Sequence, residues 1–253
     1  MNMDQKRDDI YRTYRRCRPG YFCFRVVVGE TDLWLETARE CRAEVEKTVR
    51  QLRQQLRAYI SRYPAFLSTL EPWPGDPEAP EVVQRMIAAA AKAGVGPMAA
   101  VAGAIAEMLG QALLATGIDD FFIENGGDLY FTRVKPRLIA VYAGSSPFSW
   151  RLGLKIPPGK PMSVCTSSGT VGHSFSMGRA DAAVVLSPDG ALADAAATAA
   201  ANRVQSPADL EKAAEYIGGI PGVTGVLLIC GETLAAWGEV ELADLSRGTL
   251  EEI

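Results

Sequence analysis

The segment from residue 119 to 131, DDFFIENGGDLYF, narrows the possible folds more than any other part of the chain. Two runs of strand formers, Phe121-Phe122-Ile123 and Leu129-Tyr130-Phe131, flank Asn125-Gly126-Gly127, and these turn residues accept the positive φ that a tight hairpin demands. The pattern predicts an antiparallel hairpin over residues 118 to 132 with its tip facing a cleft. Asp128 follows the turn directly. Because Gly126 and Gly127 carry no side chain, a ligand can approach their backbone amides while the Asp128 carboxylate accepts from a hydroxyl or amino group. A hairpin with a polar tip and no ligand reads equally well from these residues.

On the amino-terminal side, residues 21 to 28 are rich in aromatic and β-branched residues, residues 29 to 32 read as a turn, and Leu33-Trp34-Leu35 resumes an extended pattern, which predicts a second hairpin. From Ala38 the apolar period changes to steps of three and four through Cys41, Val45, Val49, Leu52, Leu56 and Tyr59, placing one stripe on a helix that Pro64 stops. A proline-rich loop follows, then a helix over residues 81 to 93 capped by Gly94, and a long Ala-rich helix over residues 98 to 116. Its alanines and Gly103 leave a surface small enough for another backbone or a flat ligand to come close, or for tight helix packing. GVGPMA, at residues 94 to 99, follows a helix rather than a strand, so it is not a dinucleotide fingerprint. Beyond the central hairpin, residues 138 to 142, 150 to 156, 183 to 186, 223 to 230 and 234 to 237 read as strands, and residues 191 to 202 as a helix. The mixture is α+β, with antiparallel or mixed sheets covered by helices, in a single domain over residues 1 to 253.

Charge is unevenly placed. Residues 1 to 62 hold 14 Lys and Arg against 9 Asp and Glu, whereas the remainder holds 12 against 21. Residues 1 to 20, which include Arg12, Arg15, Arg16 and Arg18, read as a flexible basic arm. No stacking platform or nucleic-acid module accompanies that charge, so no nucleic-acid partner is expected. Five cysteines, odd in number and without a CxxC pair, suggest neither a zinc site nor a disulfide framework and fit a reducing compartment. Without a leader pattern or an unbroken run of about 18 apolar residues, the expectation is a cytoplasmic protein with no membrane partner. Homo-oligomer formation is left open.

Three elements carry chemistry. Thr166-Ser167-Ser168-Gly169-Thr170 supplies hydroxyls and amides around a glycine, which suits a phosphate or a flavin-like heterocycle, and equally an ordinary turn. His173 is the only histidine, so any imidazole acting as general base is this residue. Asp194 and Thr198 stand four apart on a helix, where a carboxylate and a hydroxyl on one face offer two oxygen ligands to a hard cation, or cap and pack the helix.

The order of these elements resembles the ApbE-type FAD:protein FMN transferases. That family sets an Ala-Lys-Gly element before a Gly-Gly-Asp, then Thr-Ser-Gly, a His-containing stretch and Asp-Ala-x-x-Thr; here stand Ala102-Gly103, Gly126-Gly127-Asp128, Thr166-Ser167-Ser168-Gly169, His173 and Asp194-Ala195-Ala196-Ala197-Thr198. Ala102 replaces the family's lysine, and the family's segment around the histidine is absent, so the chain looks similar to a divergent branch. The resemblance implies a two-lobed α+β fold with a flavin nucleotide such as FAD as small-molecule partner, contacted by Gly126, Gly127, Asp128 and Thr166 to Thr170. It also implies Mg²⁺ on Asp194 and Thr198, and a transferase or diphosphohydrolase activity with His173 as the catalytic base. The alternative is a ligand-binding or assembly protein that kept the fold without the reaction.

Overall fold

The structure, a computed structural model, describes residues 17–169 and 178–246. Among them it holds five α-helices and eleven strands in two sheets. The large sheet runs in the order β1 (Phe22–Val28), β2 (Thr31–Thr37), β3 (Phe121–Asn125), β4 (Asp128–Arg133), β7 (Gly159–Ser167), β8 (Ala182–Ser187), β9 (Gly225–Cys230), β10 (Thr233–Gly238). A small sheet contains β11 (Glu241–Asp244), β6 (Leu152–Ile156) and β5 (Arg137–Ala140). Every pairing is antiparallel. The α+β architecture read from the sequence is the one observed.

Alternation along the strands sets the layers. In β4, Tyr130 packs with Phe121, Ile123 and Leu109 under the helices, whereas Leu129 and Phe131 face Leu154 and Ile156 of the small sheet. Each large apolar side chain buried on either face stabilises by about 1.5–3 kcal/mol. On the helical side lie α1 (Arg42–Arg62), α2 (Glu81–Ala93), α3 (Val101–Ala115), α4 (Gly190–Arg203) and α5 (Leu210–Gly218). The stripe predicted for α1 is buried at Val45, Val49, Leu52, Leu56 and Tyr59, and Gly94 ends α2 in the left-handed conformation. The Ala-rich helix begins later than expected. A 3-10 turn over Pro97–Ala100 precedes α3, because Ala100 leaves helical geometry.

The stretch Pro97–Ala115 is long and apolar enough to cross a membrane by length and composition, although Glu107 and Gln111 interrupt its apolar run. It is a packed helix: Gly103 meets α4, Gly110 lies against the Tyr130 ring, and Glu107 is ion-paired with Arg85 at 3.0 Å.

Strand β7 is also new relative to the sequence reading. Lys160 and Pro161 argue against a strand, but the register shifts there: Phe131 faces Met162 and Arg133 faces Gly159, so Pro161 sits in a bulge, where its missing N–H costs no ladder bond. Thr166 and Ser167 therefore belong to a strand rather than to a turn. Strand β11 was likewise not anticipated.

One expectation for the amino terminus is corrected, and residues 1 to 16 of the basic arm lie outside the described residues. Cys17 and Cys23 form a disulfide, leaving Cys41, Cys165 and Cys230 free. In the described end of that arm the Arg18 side chain bonds Glu36 at 2.5 Å and Asp120 at 3.1 and 3.2 Å, and Tyr21 Oη donates to Asp120 at 2.5 Å. Both carboxylates are buried, so the sheet edge needs these cations in place.

Candidate carboxylate site

Asp128 and Asp194 come together where β4, β7, α3 and α4 meet. Gly126 and Gly127 form the two-residue turn between β3 and β4, both at positive φ, with Asn125 facing Asp128 across it. Asn125 is thus a strand residue, and its side-chain amide donates to the Ala102 carbonyl at the start of α3 at 3.0 Å. The Gly127 N–H is already taken by Glu124 Oε1 at 2.9 Å, so it is not free for the ligand contact expected of it.

Asp128 is buried, and its Oδ1 accepts from the Thr166 backbone N–H at 3.1 Å. Asp194 Oδ2 accepts from the Gly103 N–H at 2.9 Å. Gly103 lies in the first turn of α3, whose preceding residue, Ala100, offers no side-chain cap, so a carboxylate from α4 satisfies an otherwise orphan donor. The approach is possible only because Gly103 and Gly190 have no side chains: a Cβ on Gly103 would collide with the Gly190 carbonyl, and one on Gly190 would crowd the Gly103 carbonyl and Ser163 Oγ. The small surface noted in the sequence is thus a helix crossing.

Burial governs the electrostatics. Desolvation pushes the Asp194 carboxyl up to about 7, against the opposing pull of the Gly103 and Ala102 amides. Asp128 is raised well above the usual carboxylate range, first by desolvation and then by the negative charge of Asp194, while the Thr166 amide and the Cys165 thiol pull it down. Two carboxyls in such surroundings need either a proton or a cation between them.

Thr198 follows Asp194 by one turn of α4, and both are half-buried. Ser167 lies on the face of β7 that carries Cys165 toward α4, and its buried hydroxyl has no hydrogen-bond partner among the described residues. Thr166 enters through its backbone. Ser168 Oγ and the Gly169 N–H both bond the Ala180 carbonyl, at 3.2 and 2.9 Å, so they close a loop neck rather than line a pocket. Thr170 and His173 lie outside the described residues.

The family model described as AbpE bacteria matches residues 15–218, which is most of the chain. A UPF0280 protein from Methanocella arvoryzae is 48% identical over 194 residues, covering 76% of this chain and 79% of that protein. One from Methanosphaerula palustris is 40% identical over 215 residues, covering 85% and 86%. The chain belongs to the UPF0280 branch of the ApbE-like superfamily. Its fold is that of the flavin transferases of this name: the Flavin Transferase ApbE from Vibrio cholerae superposes with a TM-score of 0.60 at 13% identity, covering 86% of this chain and 96% of that one. The Pseudomonas stutzeri flavinyl transferase ApbE gives 0.57 at 15%, covering 86% and 93%.

For this ApbE-like chain, sequence reading missed the buried Glu107, which bonds the Gly190 N–H at 2.8 Å and Arg85 and so fixes the amino-terminal end of α4. The available signal was a lone charge in an otherwise apolar helix. Glu124 closes the hairpin tip through the Gly127 N–H, and Asn125, read as a turn residue, ties that tip to α3.

Proposed function

We propose that this chain binds a flavin nucleotide such as FAD together with Mg²⁺ held by Asp128, Asp194 and Thr198, and cleaves the nucleotide's diphosphate slowly. The observation that carries this reading is the pair of desolvated carboxylates, Asp128 and Asp194, each anchored by one oxygen to a backbone amide. The donor set fits the ion: two carboxylates and a hydroxyl are hard oxygen ligands, and Mg²⁺ completes six-fold coordination with water or phosphate oxygens. Bound there, the ion would neutralise the pair and polarise a diphosphate toward displacement.

The chain's own groups supply position. Gly103 and Thr166 amides fix the carboxylates, and the glycine turn beside Asp128 leaves open space where a side chain would stand. The Ser167 hydroxyl, without a partner among the described residues, is a further donor for a phosphate oxygen. In this reading His173 takes the proton from the attacking hydroxyl or water. Support comes from the family and from the likeness of fold to flavin transferases. Ala102, in place of the family's lysine, favours a second reading in which binding persists without turnover.

The test is a titration with FAD with and without Mg²⁺, alongside chromatographic assay of AMP release. Mg²⁺-dependent binding, weakened in Asp194→Asn, and slow AMP release lost in His173→Ala are expected. Binding without any AMP release selects the second reading. The absence of FAD binding under both conditions removes the flavin assignment.

A further inference from the structure

At the rim of the large sheet that carries the Gly126-Gly127 turn, a second feature lies over the β1–β2 turn. Leu33 faces Asn125 across the β2–β3 ladder, so Thr31 and Gly29 end on the same rim as the central hairpin tip. With strands about 4.8 Å apart, β2 and β4 are separated by roughly 10 Å. Above that turn α1 presents Arg50, Arg53 and Arg57 at successive turns of one face, and they line an open cavity of about 480 Å³ with Gly29, Gln54 and Ser61.

Among the described residues the charge in this cavity is only partly balanced. Arg53 is largely buried, donates to Thr31 Oγ1 at 2.7 Å, and pairs with Glu30, a side chain 87% exposed and screened by water. Among the described residues Arg50 pairs with Glu46 alone, at 3.8 Å on the exposed helix surface. Arg57 has no ion-pair partner among the described residues, and its charge, after desolvation, lowers the Arg53 pKa. Guanidinium groups that repel one another over a concave surface accept an anion, and their planar donors match phosphate oxygens in pairs. Gly29 sits at positive φ with the Arg53 guanidinium against it, so any side chain there would fill the place of the guanidinium.

We propose that this cavity is an anion subsite that takes a phosphate or diphosphate group of a small molecule, with Arg53 and Arg57 as its ligands and Arg50 at its mouth. Its anion chemistry stands on the arginines; only the suggestion that it receives a second anionic part of the same ligand rests on the function proposed above. Because the carboxylate site repels anions without its metal, the two are separable by experiment.

Inorganic pyrophosphate titrated calorimetrically into the full chain, at low ionic strength and with EDTA present, should bind at one site. Arg57→Gln and Arg50→Gln, on exposed parts of α1, should keep the circular dichroism of the parent, and Arg57→Gln should weaken binding by about tenfold, as expected for losing one charge-assisted contact. Arg53→Gln should abolish binding, but it also loosens the β1–β2 turn, so Arg50→Gln and Arg57→Gln decide the matter. Failure of the parent chain to bind pyrophosphate overturns the proposal, as does binding unchanged in an Arg50→Gln, Arg57→Gln double variant. Failure of Mg²⁺-dependent FAD binding leaves both outcomes unaffected, because metal and flavin are absent from this titration.

Discussion

Asp194 accepts a 2.9 Å hydrogen bond from the Gly103 amide, 91 positions away in the chain, and by it one helix caps another at the point where a desolvated second carboxyl, Asp128, raises the cost of negative charge. Mg²⁺ and a proton therefore compete for Asp194, whose carboxyl is pushed up to about 7. Below that value affinity for Mg²⁺ should fall by about tenfold or more per pH unit, because a proton on the raised Asp128 carboxyl competes as well. Calorimetry from about pH 6 to pH 8 checks this; equal affinities across the range would remove Asp194 from the metal site.

The same shift has a consequence for the metal-free protein. A carboxyl that holds its proton more tightly when folded contributes most to stability below its unfolded value of about 3.9, and that contribution is lost as pH rises through about 7. At about pH 8 without metal, Asp194→Asn should raise Tm by roughly 2–4 °C, since the amide oxygen still accepts from Gly103 and no charge is buried. Added Mg²⁺ should raise the Tm of the parent and leave that of the variant in place.

Glu107 is buried and bonded at once to the Gly190 amide, Arg85 and Gln111. Removing it strands a helix-terminal donor and a half-buried guanidinium. Glu107→Ala should cost about 3–5 kcal/mol in urea unfolding, and Glu107→Gln clearly less. Equal losses in the two variants would show that the negative charge, not the volume or the remaining amide oxygen, is what matters at this position.

A methyl at Gly103 would overlap the Gly190 carbonyl. Gly103→Ala should destabilise by about 1–3 kcal/mol through forced separation of α3 and α4, and should weaken Mg²⁺ binding by moving the amide off Asp194. Unaltered metal affinity in a folded Gly103→Ala protein would show that the helix cap and the metal site are independent.

Without reductant, the denatured protein should titrate three thiols, and five after reduction, because Cys17 and Cys23 are joined. Their small loop predicts that reduction costs roughly 2 kcal/mol, a loss the Cys17→Ser, Cys23→Ser protein should reproduce. Five reactive thiols before reduction would disprove the bridge.

The hairpin at Gly126-Gly127 was legible because a glycine pair between strand formers suits little besides a tight turn, and the spacing of Asp194 and Thr198 was legible because a helix repeats at four residues. The Asp128 to Asp194 encounter was not, since it depends on how two helices cross, and the glycines that permit the crossing read only as a small surface. Strand β7 was hidden by Lys160 and Pro161, which suit a strand only when a bulge takes up Pro161, and by hydroxyl residues that favour turns as readily as strands. The Cys17–Cys23 bridge was hidden for another reason: an odd cysteine count argues against a framework of bridges but says nothing about one pair flanking the Pro19-Gly20 turn.

The pairing of β2 with β3 brings Thr37 against Phe121, with α1, α2 and α3 in the excursion between them. Closing so long a loop before any contact offsets its entropy is slow, whereas the three helices shorten it by forming locally. The order of folding should therefore run from the helical excursion to the sheet, and the Asp128 and Asp194 carboxyls should meet only in its last stage. The helical layer acts as the spacer that lets β2 find β3.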